Sequence, residues 1–178
     1  MKRAVVVTCL LLVGCHSAPP RGDLYPAFYM SRSRLSQDMR ASLDHHRDAV
    51  LASPQEPELL LAYARRVALL ANQEVDSWLA AQHNSERVVP STSLLQSESR
   101  MLQSCRHALA LFHEADLNGG AAGWQDRVAV AWFSILTGNE GRAELILGDL
   151  TVDPRVPDHA VSAMRGLLDC LPHLPENR

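Results

Sequence analysis

The chain has 178 residues, of which 47% are hydrophobic, and it carries 17 Lys+Arg against 20 Asp+Glu. This length favours one domain, and the composition is that of a folded core rather than of a disordered chain. The net charge of −3 and the pI near 6.2 give no electrostatic reason to expect nucleic-acid binding. The only lysine is Lys2. Because Lys2 belongs to a predicted leader, the rest of the chain lacks the amine of a Walker-type phosphate loop, a Schiff base or a Ser-Lys nucleophile pair.

The N-terminus has the pattern of a secretory signal. Lys2 and Arg3 form a positively charged start, and residues 4–13 form an apolar run. A membrane-spanning helix needs about 20 apolar residues, so this run is too short to remain as an anchor. A basic start followed by a short apolar core is typical of a signal peptide. We therefore expect residues 1–14 to be removed.

The segment Leu12-Val13-Gly14-Cys15 resembles the lipobox of bacterial lipoproteins. The resemblance implies cleavage between Gly14 and Cys15, a diacylglyceryl group on the Cys15 thiol and an acyl chain such as palmitate on its new amine. Two acyl chains already give stable membrane anchoring. In Gram-negative members, Asp after the lipidated cysteine tends to retain the protein at the inner membrane, and here that residue is His16. The resemblance thus implies an outer-membrane lipoprotein facing the periplasm, with no cofactor besides these covalent lipids.

The rest of the chain divides into three parts. Residues 15–30 contain three prolines and a glycine and are predicted to form a lipidated tether. Residues 31–172 carry helical patterns and are predicted to form the domain, and residues 173–178 form a tail. The net negative charge gives no attraction to anionic lipid headgroups, so the lipid on Cys15 would have to hold the protein at the membrane.

Two cysteines remain in the predicted domain, Cys105 and Cys170. The periplasm is oxidising, so a disulfide between them is allowed. The alternative is two buried thiols that pack as small apolar side chains.

Six segments have the 3.6-residue periodicity of amphipathic helices. Capping boxes at Ser53/Glu56 and Ser93/Gln96 indicate two helix starts, and Asn118-Gly119-Gly120 indicates a helix end. No segment alternates with period two over the length of a strand, so the predicted class is all-α. The predicted helices cover approximately residues 31–52, 54–82, 93–117, 124–137, 142–151 and 158–171.

One helix pair resembles a known repeat. Residues 124–154 are similar to a tetratricopeptide unit. The matching positions are Ala131, Gly138, Ala143 and Asp153-Pro154. The pair departs from the family because its second helix is one residue short and because Leu150 stands where the family usually has Ala. The resemblance implies a stack of antiparallel helix pairs with a groove for a partner peptide, and the alternative is a closed helical bundle.

Few residues suggest chemistry. His113-Glu114 begins a zinc motif, but Leu117 stands where its second histidine is required. The segment Asp44-His45-His46-Arg47-Asp48 is the one polar cluster, and its two histidines lie about 100° apart on a helix, which favours a solvated or packed pair over a metal site. Residues 119–123 are interpreted as a flexible joint. We therefore expect neither an enzyme nor a metal site.

Three residues are candidates for partner binding. Trp124 follows the glycine-rich joint and is the tryptophan expected to be partly exposed, whereas Trp78 and Trp132 fit core positions. Arg65 and Arg66 on the second helix are placed to pair with acidic groups of a partner, although a solvated face is the simpler interpretation.

The sequence leaves three functional hypotheses. The first is a non-catalytic adaptor similar to small helical lipoproteins such as pilotins, which serve secretion, pilus or outer-membrane assembly; the partner would be an envelope protein. The second is a cell-wall enzyme or its regulator that uses Asp44, His45 and Asp48. The third is a structural lipoprotein without a specific partner. The sequence indicates no oligomeric state.

Overall fold

The computed structural model describes residues 35–85 and 91–171. Within these ranges it contains six α-helices and no β-strand, so the all-α class predicted from the sequence is confirmed. The helices are α1 (Leu35–Ala52), α2 (Pro57–Ser85), α3 (Ser91–Leu117), α4 (Trp124–Leu136), α5 (Glu140–Thr151) and α6 (Asp158–Cys170). The predicted signal peptide, the tether with Cys15 and the tail lie outside the described residues.

The helices pack in chain order. The substantial contacts between described residues join α1 to α2, α2 to α3, α3 to α4, α4 to α5 and α5 to α6, and the α2–α3 pair is the most extensive. A closed bundle of the last four helices would also bring α3 against α6, and that pair is not among the substantial contacts. The arrangement is therefore compatible with a stack in which each helix buries its apolar face against its neighbours in the chain.

Two apolar clusters form the core, and α4 belongs to both. The first cluster is built on α2 and α3, whose members Trp78, Met101 and Cys105 are at most 2% exposed. The second cluster joins α5 and α6. From α4, the residues Ala129, Val130, Phe133 and Leu136 face the first cluster, and Val128, Ala131 and Ile135 face the second. A helix that is apolar on nearly all sides is expected to lie inside a fold, and α4 does.

The start of α2 differs from the prediction. The sequence pattern places Pro54 at the first helical position, whereas the helix begins at Pro57. The N–H of Glu56 donates to the carbonyl of Ser53 at 3.1 Å, so residues 53–56 form a turn before the helix. The residue before a proline is disfavoured in helical conformation, which keeps Glu56 outside the helix and makes Pro57 its first residue.

The end of α3 lies where the sequence predicts it, and Gly119 and Gly120 have defined conformations there rather than forming a flexible joint. Gly119 has φ of 85°, the left-handed conformation that glycine adopts without strain. The N–H groups of Gly119 and Gly120 donate to the carbonyls of Asp116 and Ala115, which closes the helix with a Schellman motif. A Cβ on Gly120 would lie 2.8 Å from the Ala115 oxygen. The first part of the expected flexible joint is therefore a hydrogen-bonded and closely packed helix end.

Candidate functional site

The first turn of α4 places an acidic side chain inside the fold. Gly123 is the N-cap residue, and its N–H donates to Oδ2 of Asp126 at 3.0 Å. Asp126 thereby satisfies one of the backbone donors that every helix start leaves unpaired, and the positive end of the helix dipole favours its charge. Because Asp126 is only 4% exposed, its carboxylate needs a further partner.

That partner is Arg65 of α2. Its Nε donates to Oδ1 of Asp126 at 2.9 Å, and its Nη2 donates to Oδ2 at 2.7 Å. Two parallel, charge-assisted hydrogen bonds are the strongest geometry that arginine and a carboxylate form. The side chain of Arg65 is 48% exposed, whereas that of Asp126 is 6% exposed. The ion pair therefore fixes the start of α4 against α2 and keeps part of the guanidinium at the surface.

The three residues predicted to bind a partner are Arg65 itself and sequence neighbours of the two members of this ion pair. Trp124, the first residue of α4, is half-buried against the second cluster and lies two positions before Asp126. Arg66 follows Arg65 on α2 and is exposed. Residues two positions apart project about 200° apart around a helix, so the side chain of Trp124 does not share the face on which Asp126 contacts Arg65. We call the exposed surface of Arg65, Arg66 and the first turn of α4, which begins at Trp124, the α2–α4 surface.

A second ion pair connects α4 to α5. Nη2 of Arg127 donates to Oδ2 of Asp149 at 3.0 Å. The Asp149 side chain is 73% exposed, so water screens this pair far more than it screens Asp126 and Arg65. Both ion pairs involve adjacent residues of the first turn of α4, Asp126 and Arg127. They connect that turn to α2 and to α5.

The polar cluster of α1 is a surface salt-bridge network. Nη1 of Arg47 lies 3.0 Å from Oδ1 of Asp44, and its Nη2 lies 3.1 Å from Oδ1 of Asp48. All three side chains are at least half exposed. The rings of His45 and His46 meet edge to face, with centroids 5.6 Å apart, and Nδ1 of His46 lies 2.7 Å from the carbonyl oxygen of Ser42. The cationic side chain of Arg47 thus lies between the two carboxylates that the enzyme hypothesis requires.

Cys105 is a free thiol in the core. It is 0% exposed, and its Sγ lies 3.9 Å from Sδ of Met101. Desolvation by burial raises the pKa of this thiol to about 12. The side chain of Cys170 lies outside the part of the chain that is described, and α6 makes no substantial contact with α3. For Cys105 the structure therefore matches the alternative of a buried thiol that packs as a small apolar side chain.

Three features of the structure were not predicted from the sequence. Asp126 was not singled out, although a carboxylate three residues after Gly123 at a helix start has the spacing of a capping residue. The indole N–H of Trp78 is buried with no hydrogen-bond acceptor in the described part of the chain, which no sequence pattern indicates. Finally, α5 leaves Leu145 and Val152 largely exposed.

The described residues contain no group of three or more His, Cys, Asp or Glu side chains arranged to hold a metal ion. Within the same residues, no helix combines the length and the hydropathy needed to cross a bilayer. Comparisons with protein families, with curated proteins and with solved structures found no match to this chain.

Proposed function

We propose that the protein is a non-catalytic outer-membrane lipoprotein that acts as a protein-binding adaptor in envelope, secretion or pilus assembly. The observation that carries the binding role is the bidentate ion pair between Arg65 and Asp126. It brings Arg65 of α2 to the first turn of α4, 61 residues further along the chain, and these two segments carry the α2–α4 surface. The membrane role rests on the lipobox pattern at Leu12-Val13-Gly14-Cys15.

The chemistry of the α2–α4 surface suits a protein segment with acidic and apolar side chains. Trp124 offers a large aromatic face that is already half-buried, so that little conformational freedom is lost when a partner covers it. Exposed arginines supply charge complementarity, which governs orientation and association rate more than affinity. Tryptophan and arginine are the residue types that most often dominate interface energies. The lipid on Cys15 would hold this surface at the inner face of the outer membrane.

The binding role is tested by affinity isolation from detergent-solubilised envelopes. We expect one or more specific envelope proteins with the unmodified chain, and loss of their recovery with Trp124→Ala and with Arg66→Glu. Arg106→Glu, which changes an exposed arginine of α3, is the matched control and should retain binding. Recovery unchanged by Trp124→Ala and Arg66→Glu, or no specific partner at all, would overturn the adaptor role at this surface.

The membrane role has its own test. Labelled palmitate should enter the unmodified protein, and Cys15→Ser should abolish both labelling and fractionation with the outer membrane. A chain that takes up no label would overturn the lipoprotein assignment without affecting the binding test, because the two rest on different residues.

The alternative is a cell-wall enzyme or its regulator. It requires Asp44, His45 and Asp48, and both carboxylates lie in exposed ion pairs with Arg47. An activity that disappears on alanine substitution of all three residues, with helicity unchanged, would favour the enzyme instead. The third hypothesis, a structural lipoprotein without a specific partner, would be supported if no specific partner is recovered in the affinity test.

A further inference from the structure

The outer face of α5 is unpartnered. Leu145 is 74% exposed and Val152, the residue that caps the helix, is 80% exposed. The opposite face of α5 is fully used, because Ala143, Leu147 and Leu150 are buried in the second cluster. Two large aliphatic side chains on the exposed side of one short helix indicate a surface that another element covers.

This face has a regular pattern of large and small residues. Gly141, Leu145, Gly148 and Val152 are spaced by four, three and four positions, which places them along one stripe of α5. A Cβ built on Gly141 or on Gly148 would meet no atom within 4 Å. Each glycine therefore leaves an open depression beside a protruding aliphatic side chain. We call this stripe the α5 outer face.

We propose that the α5 outer face binds the α5 outer face of a second copy of this chain, with the two helices antiparallel about a two-fold axis. The two-fold axis passes between Ile146 and Leu147 of each copy. In that orientation, Leu145 of one copy lies over the partner's Gly148. Val152 likewise lies over the partner's Gly141. Every protruding side chain then meets a depression, and each contact occurs twice, as a two-fold interface requires.

The flanking charges along one edge of the stripe are complementary in the same orientation. Arg142 and Asp149 both lie along one edge of the stripe and are exposed. In the antiparallel pair, Arg142 of each copy lies opposite the partner's Asp149, which gives two equivalent ion pairs at the rim. A parallel pair would instead set Leu145 against Leu145 and Gly148 against Gly148, and it would place the Arg142 and Asp149 edges of the two copies on opposite sides of the interface. Asp149 already contacts Arg127 at 3.0 Å and is still 73% exposed, so a second arginine can approach it.

The interface is small, which predicts weak association in solution. A helix of 12 residues is about 18 Å long, so one helix pair buries less than the roughly 1,200–2,000 Å² of a standard interface. Confinement at a membrane would raise the effective concentration of two copies and favour the pair. That gain rests on the proposed lipid anchor, whereas the self-association itself does not.

Cysteine cross-linking in the full chain in detergent tests the orientation. Gly141→Cys and Val152→Cys are made separately and then mixed under mild oxidation. In the antiparallel pair, residue 141 of one copy meets residue 152 of the other, while two copies of residue 141 are about 16 Å apart along the helices. We expect a disulfide between positions 141 and 152 in the mixture, located by mass spectrometry, and none in either variant alone. Homodisulfides in the separate variants would indicate parallel pairing and overturn the proposal, as would the absence of any cross-link.

Sedimentation at increasing protein concentration tests the size matching. In Gly148→Leu the new Cβ would meet no atom of its own chain within 4 Å, so the monomer should stay folded while self-association weakens by about tenfold or more. Leu145→Asp should have the same effect. Leu117→Asp is the matched control because Leu117 is 69% exposed at the end of α3. Self-association unchanged by both α5 variants, or a monomer at every concentration, overturns the proposal.

The outcome of the cross-linking and sedimentation tests does not depend on the proposed adaptor function. Palmitate labelling and recovery of an envelope partner through the α2–α4 surface should be unchanged in Gly148→Leu. If self-association fails while these remain, the dimer is wrong and the adaptor stands. If recovery of the envelope partner depends on Leu145 and Gly148, the α5 outer face binds that partner instead, and the dimer is overturned.

Discussion

The two apolar clusters are built from helices of different length. The first rests on α2 and α3, with 29 and 27 residues, and the second rests on α5 and α6, with 12 and 13 residues. The long pair buries Trp78, Met101 and Cys105 almost completely. The short pair buries Leu147 and Met164 equally well but leaves the α5 outer face exposed. The first region thus rests on the longer helices, whereas the second has an apolar surface left for association.

The shared helix α4 should make the two regions unfold together. We expect Phe133→Ala, which empties a fully buried site of the first cluster, to cost about 3–5 kcal/mol, and Leu147→Ala in the second cluster to cost about 2–5 kcal/mol. Both should lower one common transition, because loss of either cluster removes a face of α4. Urea unfolding followed by circular dichroism gives the free energies. Hydrogen exchange of the amides of α3 and α6, measured in Leu147→Ala at increasing urea concentration, tests this coupling. Exchange that opens α6 while α3 stays protected would contradict it.

The ion pair between α2 and α4 should respond asymmetrically to its two deletions. Arg65→Ala leaves a buried carboxylate without its main partner and should cost about 2–4 kcal/mol. Asp126→Asn should cost less, because the half-exposed guanidinium of Arg65 regains water and the amide oxygen can still accept from the Gly123 N–H. The double variant should be more stable than the sum of the two losses predicts, and chemical denaturation of all four proteins measures this coupling. Equal losses that add would contradict a buried, coupled pair.

The sequence predicts the parts of this fold that local patterns determine. The bounds of α4 follow from an apolar run between Gly123 and Gly138, and the end of α3 follows from Gly119. The predicted start of α2 at Pro54 is wrong because Pro54 and Pro57 both suit a first helical turn. Only the backbone hydrogen bond from Glu56 N–H to the Ser53 carbonyl, which closes a turn before the helix, decides between them.

The long-range features could not be predicted in the same way. Arg65 and Asp126 are 61 positions apart, so their pairing depends on the tertiary packing that brings the start of α4 near α2 rather than on any local pattern. The sequence predicts Arg65 as a surface arginine, and its ion pair with Asp126 is visible only in three dimensions. The exposure of Leu145 and Val152 likewise depends on which face of α5 the second cluster covers.

Cys105 provides a probe that is confined to the first region. We expect the native protein to resist alkylation of this thiol at about pH 8, because the side chain is fully buried and burial raises its pKa to about 12. In concentrated guanidinium, where the chain is unfolded, labelling should be complete. Peptide mapping by mass spectrometry assigns the label to Cys105 and also reports whether Cys170 reacts. Rapid native labelling of Cys105 would show that the first region opens more readily than its packing indicates.

The smallest expected effect is a pH dependence in the second region, at the connection between α5 and α6. The Arg155 side chain donates from Nε and Nη2 to the Asp153 carboxylate at 3.0 and 2.8 Å, and its backbone N–H donates at 2.9 Å. These bonds lower the pKa of Asp153 from 3.8 to about 2. The contribution to stability is therefore present above about pH 4 and is lost as the pH falls towards 2.

The test is the unfolding midpoint measured against pH. Asp153→Asn should reduce the fall of the midpoint between about pH 4 and pH 2. Asp116→Asn, at an exposed site on α3, should leave that fall unchanged. An unchanged fall of the midpoint in Asp153→Asn would mean that the contacts of Arg155 stabilise the turn equally well without the negative charge.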